Sequence, residues 1–223
     1  MPFTSRELAP LVEGVCAEVI EHEKELTELD RAIGDADHGL NMERGCKAVR
    51  ERLPGWAELA PGALLSEAGK TLVMTVGGAS GPLFGTLFMR LGQGLGDAAA
   101  ITREGLVLAL GEALVAVRAR GRAQAGQKTL LDVLEPVYAR RGEQPAVSLA
   151  ALAATAQAAA RATIDLRAER GRASFLGERS RGHMDPGAYS SALIICAVCE
   201  HLGKGDAALR SGTMDIKQEE DRK

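Results

Sequence analysis

The sequence predicts a single all-α domain, an antiparallel up-and-down bundle of about eight helices with its functional loops gathered at one end. Three observations carry that expectation. Aromatic residues make up only 3% of the chain and alanine runs are frequent, which leaves little material suited to strands. Apolar residues recur at helical spacing along most of the 223 residues. Glycine and proline punctuate those segments without leaving a long linker, so one core suffices over 1–205, and 206–223 reads as a frayed, charged tail.

Taken in order, Thr4-x-x-Glu7 opens the first helix as a capping box, and Leu8, Leu11, Val12, Val15, Val19 and Leu26 share one face up to about Leu29. A loop over 30–41 follows, then a short helix over about 41–53 that Pro54-Gly55 stops. The third helix begins near Pro61, a residue favoured in the first turn, and points Leu64, Leu65, Ala68, Leu72 and Val76 inward. The turn Gly77-Gly78-Ala79-Ser80-Gly81-Pro82 leads into a fourth helix through Leu83 and Phe88. A fifth spans about 102–120, with Leu106, Leu110, Leu114 and Val117 at helical spacing. After a glycine-punctuated connector the sixth starts at Lys128, and Pro136 should kink it or end it early. The seventh is alanine-rich, about 147–170, and is stopped by Gly171. The eighth, about 188–202, is apolar nearly all round and should be central.

Composition excludes several classes. A net charge of −3 offers no electrostatic case for nucleic acid. Residues 1–7 hold no apolar signal region and the longest apolar runs are too short to span a bilayer, so the expected location is the cytoplasm. Cys196-x-x-Cys199 has almost wholly apolar neighbours and no second pair at zinc spacing, which suits buried structural thiols beside Cys16 and Cys46.

The chemistry concentrates around Asp30, Asp35 and Asp37. Three carboxylates crowd into eight residues, and Gly34 and Gly39 place them in a loop between helices. A cation would relieve their repulsion, and oxygen donors without cysteine suit magnesium, calcium or manganese better than zinc or copper. Asp35-x-Asp37-x-Gly39 looks like the start of an EF-hand, but the twelfth position is Cys46 where a bidentate Glu is needed. On its own the loop is equally well read as solvated.

Three further polar loops change the weighting: 77–82, 121–128 and 177–187. With helices alternating up and down, the loops after helices one, three, five and seven emerge at the same end. The glycine-rich turn can offer backbone N–H groups and the Ser80 hydroxyl to a phosphate at a helix start; the alternative is a plain helix–helix turn. Arg179 and Arg181 can meet phosphate charge, and Asp185-Pro186-Gly187 is a turn into the last helix. Neither Gly62-x6-Gly69-Lys70-Thr71 nor Gly121-x4-Gly126-Gln127-Lys128-Thr129 has Walker A spacing or a preceding strand. Three carboxylates exceed what one magnesium takes beside a diphosphate, which points to two ions.

Four motifs together resemble the nucleotide-binding L subunit of bacterial dihydroxyacetone kinase. They are Asp30-x4-Gly34-Asp35-Ala36-Asp37-His38-Gly39, Gly77-Gly78-Ala79-Ser80-Gly81-Pro82-Leu83, Lys128-Thr129-Leu130-Leu131-Asp132 and Gly177-Glu178-Arg179-Ser180-x-Gly182-His183-x-Asp185-Pro186-Gly187. The resemblance runs in order over nearly the whole chain. It implies a barrel of eight antiparallel helices and two Mg²⁺ held by Asp30, Asp35 and Asp37. It implies ADP, or ATP once phosphorylated, on His38, Gly39, Leu40, Asn41, Ala79, Ser80, Gly121, Leu130, Arg179, Asp185, Pro186 and Gly187. Arg179 and His38 are the implied catalytic side chains.

In one branch of that family the domain uses ATP from solution beside a dihydroxyacetone-binding domain. In the other it stands alone and keeps ADP as a cofactor. A phosphoprotein of the phosphoenolpyruvate-dependent phosphotransferase system, an M-type subunit, then recharges the ADP, and the phosphoryl group passes to dihydroxyacetone on a K subunit. The expected protein is of the second kind, a homodimer. The alternatives are an ATP-dependent kinase of dihydroxyacetone or another small ketose, and a non-catalytic nucleotide module that docks on a transcriptional regulator.

Overall fold

A computed structural model describes residues 3–143 and 146–203, so the segment expected as a tail and the boundary at 205 lie outside the described residues. Among the described residues there are nine α-helices: α1 Ser5–Glu21, α2 Glu23–Ile33, α3 His38–Arg52, α4 Pro61–Thr75, α5 Ser80–Leu95, α6 Arg103–Gly121, α7 Leu131–Ala139, α8 Leu149–Ala162 and α9 Pro186–Leu202. The expected eight become nine because the first helix breaks at His22, which ends α1 and opens α2. A two-residue antiparallel pairing of β1, Phe3–Thr4, with β2, Ala100–Ile101, is the other departure from an all-helical chain.

Helix starts follow local chemistry. The backbone N–H of Thr4 donates to Glu7 Oε2 at 2.8 Å, the return half of the capping box. Thr102, Ser148 and Asp185 accept from the backbone of Gly105, Ala151 and Ala188, capping α6, α8 and α9. Two expected boundaries move. The sixth helix starts at Leu131 instead of Lys128, whose φ of 62° is left-handed. The seventh stops at Ala162 and passes through a 3-10 turn, Thr163–Asp165, instead of running to 170. There the carbonyls of Thr163 and Leu166 bond the Lys128 ammonium, so a tertiary partner takes acceptors that a helix would have used.

The helices close into a ring. Each of α3 to α9 packs on the next, and both α3 and α9 pack on α1. The tightest crossing is α4 on α5, where glycines face each other. A Cβ on Gly69 would fall 2.8 Å from the Gly85 carbonyl oxygen, and one on Gly85 would fall 2.8 Å from that of Gly69. The two backbones touch, which larger side chains would prevent. Val19, Leu26, Phe84, Leu114, Leu131 and Tyr189 fill the main core. Toward the β1–β2 end the ring encloses an apolar cavity of about 380 Å³ bordered by Leu8, Val12, Val49, Leu72, Phe88 and Val198. Of the last helix, Ala188 to Leu193 are buried, which matches its expected central place. All four cysteines are free, and no described helix is long and apolar enough to cross a membrane.

Candidate functional site

At one end of the ring, a cleft of about 340 Å³ is bounded by segments remote in sequence. The loop after α2 supplies Asp30, Asp35, Asp37 and His38, and the glycine-rich turn before α5 supplies Gly77 to Ser80. Gly121 and Lys128 to Leu131 come from the α6–α7 connector, and Asp185 to Gly187 from the start of α9. Residues 170–173 complete the wall.

The acidic loop is held by its own backbone. One Asp30 oxygen accepts the N–H groups of Asp37 at 2.9 Å and His38 at 3.2 Å, so this buried carboxylate pins the loop. Gly34 has to be glycine, because a Cβ there would fall 1.9 Å from the other Asp30 oxygen. One oxygen from each of Asp30, Asp35 and Asp37 lies within 4.8 Å of the other two. Like charges that close cost about 1 kcal/mol per pair even in bulk water, and a divalent cation removes that cost. The donors are all hard oxygens, which fits magnesium. Arg172 Nη2 sits 2.9 Å from Asp35 Oδ2 and offsets part of the charge, but at 70% side-chain exposure it is free to swing away.

The phosphate-type half is equally local. Gly78 adopts a φ of 64°, turning the chain so that α5 starts at Ser80 with its N-terminus at the cleft. Buried His38 bridges the two halves: Nδ1 is 3.0 Å from Ser80 Oγ and Nε2 is 3.1 Å from Ser190 Oγ. Burial pushes its pKa down to about 4, against the pull of Asp30 and Asp37, so the ring is neutral at pH 7.

Not every expected contact reaches the cleft. His38, Ala79, Ser80, Gly121, Leu130, Asp185, Pro186 and Gly187 line it, whereas Gly39, Leu40, Asn41 and Arg179 do not. Gly39 is a packing residue: a Cβ there would fall 2.0 Å from the Glu23 carbonyl, where α3 crosses α2. Leu40 is 48% exposed on the outside. Asn41 is buried behind the glycine turn, accepting from Arg44 at 3.1 Å, and a Cβ on Gly77 would fall 2.7 Å from its Oδ1. Arg179 is exposed outside the lining, and Arg120, Arg170 and Arg172 bring the guanidinium groups instead. The polar stretch offers both Arg179 and Arg181, and it is the family resemblance that implies Arg179. A 3-10 segment, Arg172–Ser180, turns at Gly177 and aims its other end at Asp35.

Two structural residues were missed as such. Lys128 is 1% exposed and donates to the carbonyls of Thr163, Leu166 and His183, tying the α6–α7 connector to the strap before α9. Asp132 accepts from the backbone of Gly126 and Thr129 and holds the turn that places Lys128. The signal for both was the Lys-x3-Asp spacing after glycine, legible only as a motif.

Asp185 caps α9 through Ala188 N–H at 2.7 Å. Burial pushes its carboxyl up to about 7, with nearby Asp132 adding to the rise, while the Ala188 bond and Lys128 oppose it. The sign for stability follows. The folded state keeps this proton above roughly pH 4, where the unfolded chain releases it, so stability falls as pH rises from about 4 to 7. Asp185→Asn keeps a good N-cap and removes the titration. Urea midpoints should show the variant gaining on the parent chain between pH 4.5 and 7, by roughly the slope of one proton. An unchanged difference across that range would remove Asp185 as the cause.

Fold and site together define a helical barrel with an acidic, anion-receptive cleft at one end. The chain belongs to the DAK2 domain family, which matches residues 32–200. It is 46% identical over 182 residues, 78% of this chain and 87% of the relative, to the PEP-dependent dihydroxyacetone kinase, ADP-binding subunit DhaL, of Escherichia coli (strain K12). It is also 34% identical over 204 residues to the D-erythrulose kinase of Mycolicibacterium smegmatis, covering 88% of this chain but 35% of that one. Among solved structures it resembles the dihydroxyacetone kinase from C. freundii in complex with AMP-PNP and Mg²⁺. That similarity has a TM-score of 0.70 at 29% identity, over 90% of this chain and 34% of that chain.

Proposed function

We propose that this chain is the ADP-binding, phosphoryl-transferring subunit of a phosphoenolpyruvate-dependent dihydroxyacetone kinase, working in the cytoplasm. The observation that carries the reading is the meeting, in one cleft, of three clustered carboxylates and a helix N-terminus behind a glycine turn. Carboxylates alone suit a cation and a helix start alone suits an anion; together they suit a metal-bound polyphosphate.

In this reading Asp30, Asp35 and Asp37 hold two Mg²⁺, which when bound neutralise diphosphate charge and polarise the transferred phosphoryl group. Backbone N–H groups of the glycine turn and the first turn of α5 orient phosphate oxygens. Leu130, buried and apolar at the cleft wall, takes the base. Arg172, Arg170 and Arg120 take over the charge-meeting task expected of Arg179. His38, neutral and enclosed by hydrogen bonds, orients rather than transfers protons. The triose sits on a K subunit, and an M-type phosphoprotein recharges the bound ADP.

Identity favours the phosphoprotein-driven branch. The chain is 46% and 44% identical to PEP-dependent ADP-binding subunits and 34% identical to the two erythrulose kinases it also resembles, of whose length it spans about a third. The test is reconstitution. The purified chain alone should not phosphorylate dihydroxyacetone, and adding a K subunit with a phosphoenolpyruvate-driven donor should give turnover. If ATP in solution supports multiple turnovers equally well, the ATP-dependent kinase reading replaces this one.

A further inference from the structure

Residues 172–176 form a short segment between two glycines in the left-handed region, Gly171 at a φ of 65° and Gly177 at 57°. Its inner side is held. Ala173 is buried with Ile33 and Ala168, Leu176 packs against the same small cluster, and Ser174 Oγ donates to the Gly171 carbonyl at 2.7 Å. Phe175 points the other way. At 89% exposure it is the most exposed large apolar side chain among the described residues. The small cluster takes Leu176 and leaves the larger ring in water, on a segment whose neighbours are fixed. An aromatic ring presented in this way marks a surface that another protein covers.

The surroundings point to the chemistry of that partner. Arg170 and Arg172 border the cleft beside Phe175, Arg120 borders it from the last turn of α6, and all three are exposed. Met74, in the last turn of α4, is exposed at the same end of the ring. Phenylalanine, methionine and arginine are the residue types enriched where proteins meet. Under the function proposed above, two proteins have to reach this cleft. One brings a phosphoryl group with a charge of about −2, and the other brings a neutral triose. A diphosphate beside Asp30, Asp35 and Asp37 repels the first, and exposed guanidinium groups at the mouth offset that repulsion. A neutral triose has no such need.

We propose that Phe175 and the arginine rim beside it form the docking surface for the phosphorylated protein that recharges bound ADP. The ring is the apolar anchor, and the guanidinium groups draw the phosphoryl group toward the cleft. Phe175 does not line the cleft and takes no part in holding the nucleotide. The assignment rests on the function proposed above and adds to it the face by which the donor approaches.

The experiment uses the full-length chain loaded with ADP and Mg²⁺, and the phosphoenolpyruvate-driven donor of the reconstitution. Conversion of bound ADP to ATP in a single turnover is followed as the donor concentration rises. Phe175→Ala should raise the half-saturating donor concentration about tenfold or more, the scale of an anchoring aromatic side chain. Phe175→Tyr should keep most of the donor affinity. Leu108→Ser, which removes an exposed apolar side chain from α6, should behave like the parent chain. Recharge at low donor concentration should slow as ionic strength rises. Calorimetric ADP affinity should be the same in all of them, and so should the K-subunit dependence of transfer to dihydroxyacetone. A Phe175→Ala chain recharged like the parent overturns the proposal. So does one in which only the K-subunit step weakens, since the occupant is then the acceptor protein, and so does recharge that ignores salt. If melts show Phe175→Ala to be destabilised, Phe175→Gln is read in its place. In each of these cases recharge of the parent chain leaves the proposed function standing. A parent chain that binds no ADP, or that no such donor recharges, overturns the function and the docking together.

Discussion

Replacing Asp35 and Asp37 together by alanine is expected to abolish magnesium-dependent ADP binding, by about 100-fold or more, while leaving the fold intact. The pair is chosen over Asp30 for a structural reason. Asp30 is buried and accepts two backbone N–H groups, so its loss would collapse the loop and confuse binding with folding. Asp35 and Asp37 are exposed at the cleft. Removing them deletes mutual repulsion and one exposed ion pair with Arg172, terms that nearly cancel in stability. Calorimetric titration of ADP with and without Mg²⁺ checks the first half, and thermal melts of the ligand-free chain check the second. Binding as tight as that of the parent chain would sink the metal reading. Reconstituted kinase turnover should vanish with binding, whereas a module that only senses nucleotide would show no turnover to lose.

The second large effect lies away from the phosphate chemistry. Lys128→Met is expected to cost about 3 kcal/mol or more of stability, lowering Tm by on the order of 10 °C. The ammonium is buried, and its three protons go to three carbonyls, two at the 3-10 turn after α8 and one in the strap before α9. Methionine fills the space of the stem but removes all three bonds; the Thr163 carbonyl keeps the Leu166 N–H, while the Leu166 and His183 carbonyls lose the ammonium. Lys128→Arg should not rescue, since a planar guanidinium cannot send three bonds to carbonyls converging on one point. Urea unfolding of both variants, with ADP affinity measured well below the transition, separates the stability loss from the binding loss. A Lys128→Met chain within 1 kcal/mol of the parent would show that the ammonium is not the post it resembles here.

Much of the candidate cleft is legible in the sequence. Asp30, Asp35 and Asp37 stood out because like charges between glycines need a reason. Gly77 to Ser80 stood out because glycine before an apolar helix exposes backbone donors. What spacing could not deliver was orientation. Gly39, Leu40 and Asn41 follow His38 directly, yet only His38 lines the cleft. Successive helical residues point about 100° apart, and α2 takes the face that Gly39 presents. The polar loop 177–187 offered Arg179 and Arg181 as cations and left Arg172 outside it. Gly177, at a φ of 57°, turns the segment between Arg172 and Arg179, and it is Arg172 that reaches Asp35.

The fold divides along the same line. Amino-acid order by itself determined that the chain is helical, where most helices lie, how several are capped and which residues could bind a cation. Those follow from periodicity, capping chemistry and charge, which act over a few residues. The break at His22, the early end of α8, the left-handed turn at Lys128 and the choice among arginines were decided only by tertiary structure. In the clearest of these, the end of α8, the local preference for helix is worth a few tenths of a kcal/mol per residue. A buried ammonium seeking three carbonyls, two at the end of α8 and one at His183, outweighs it.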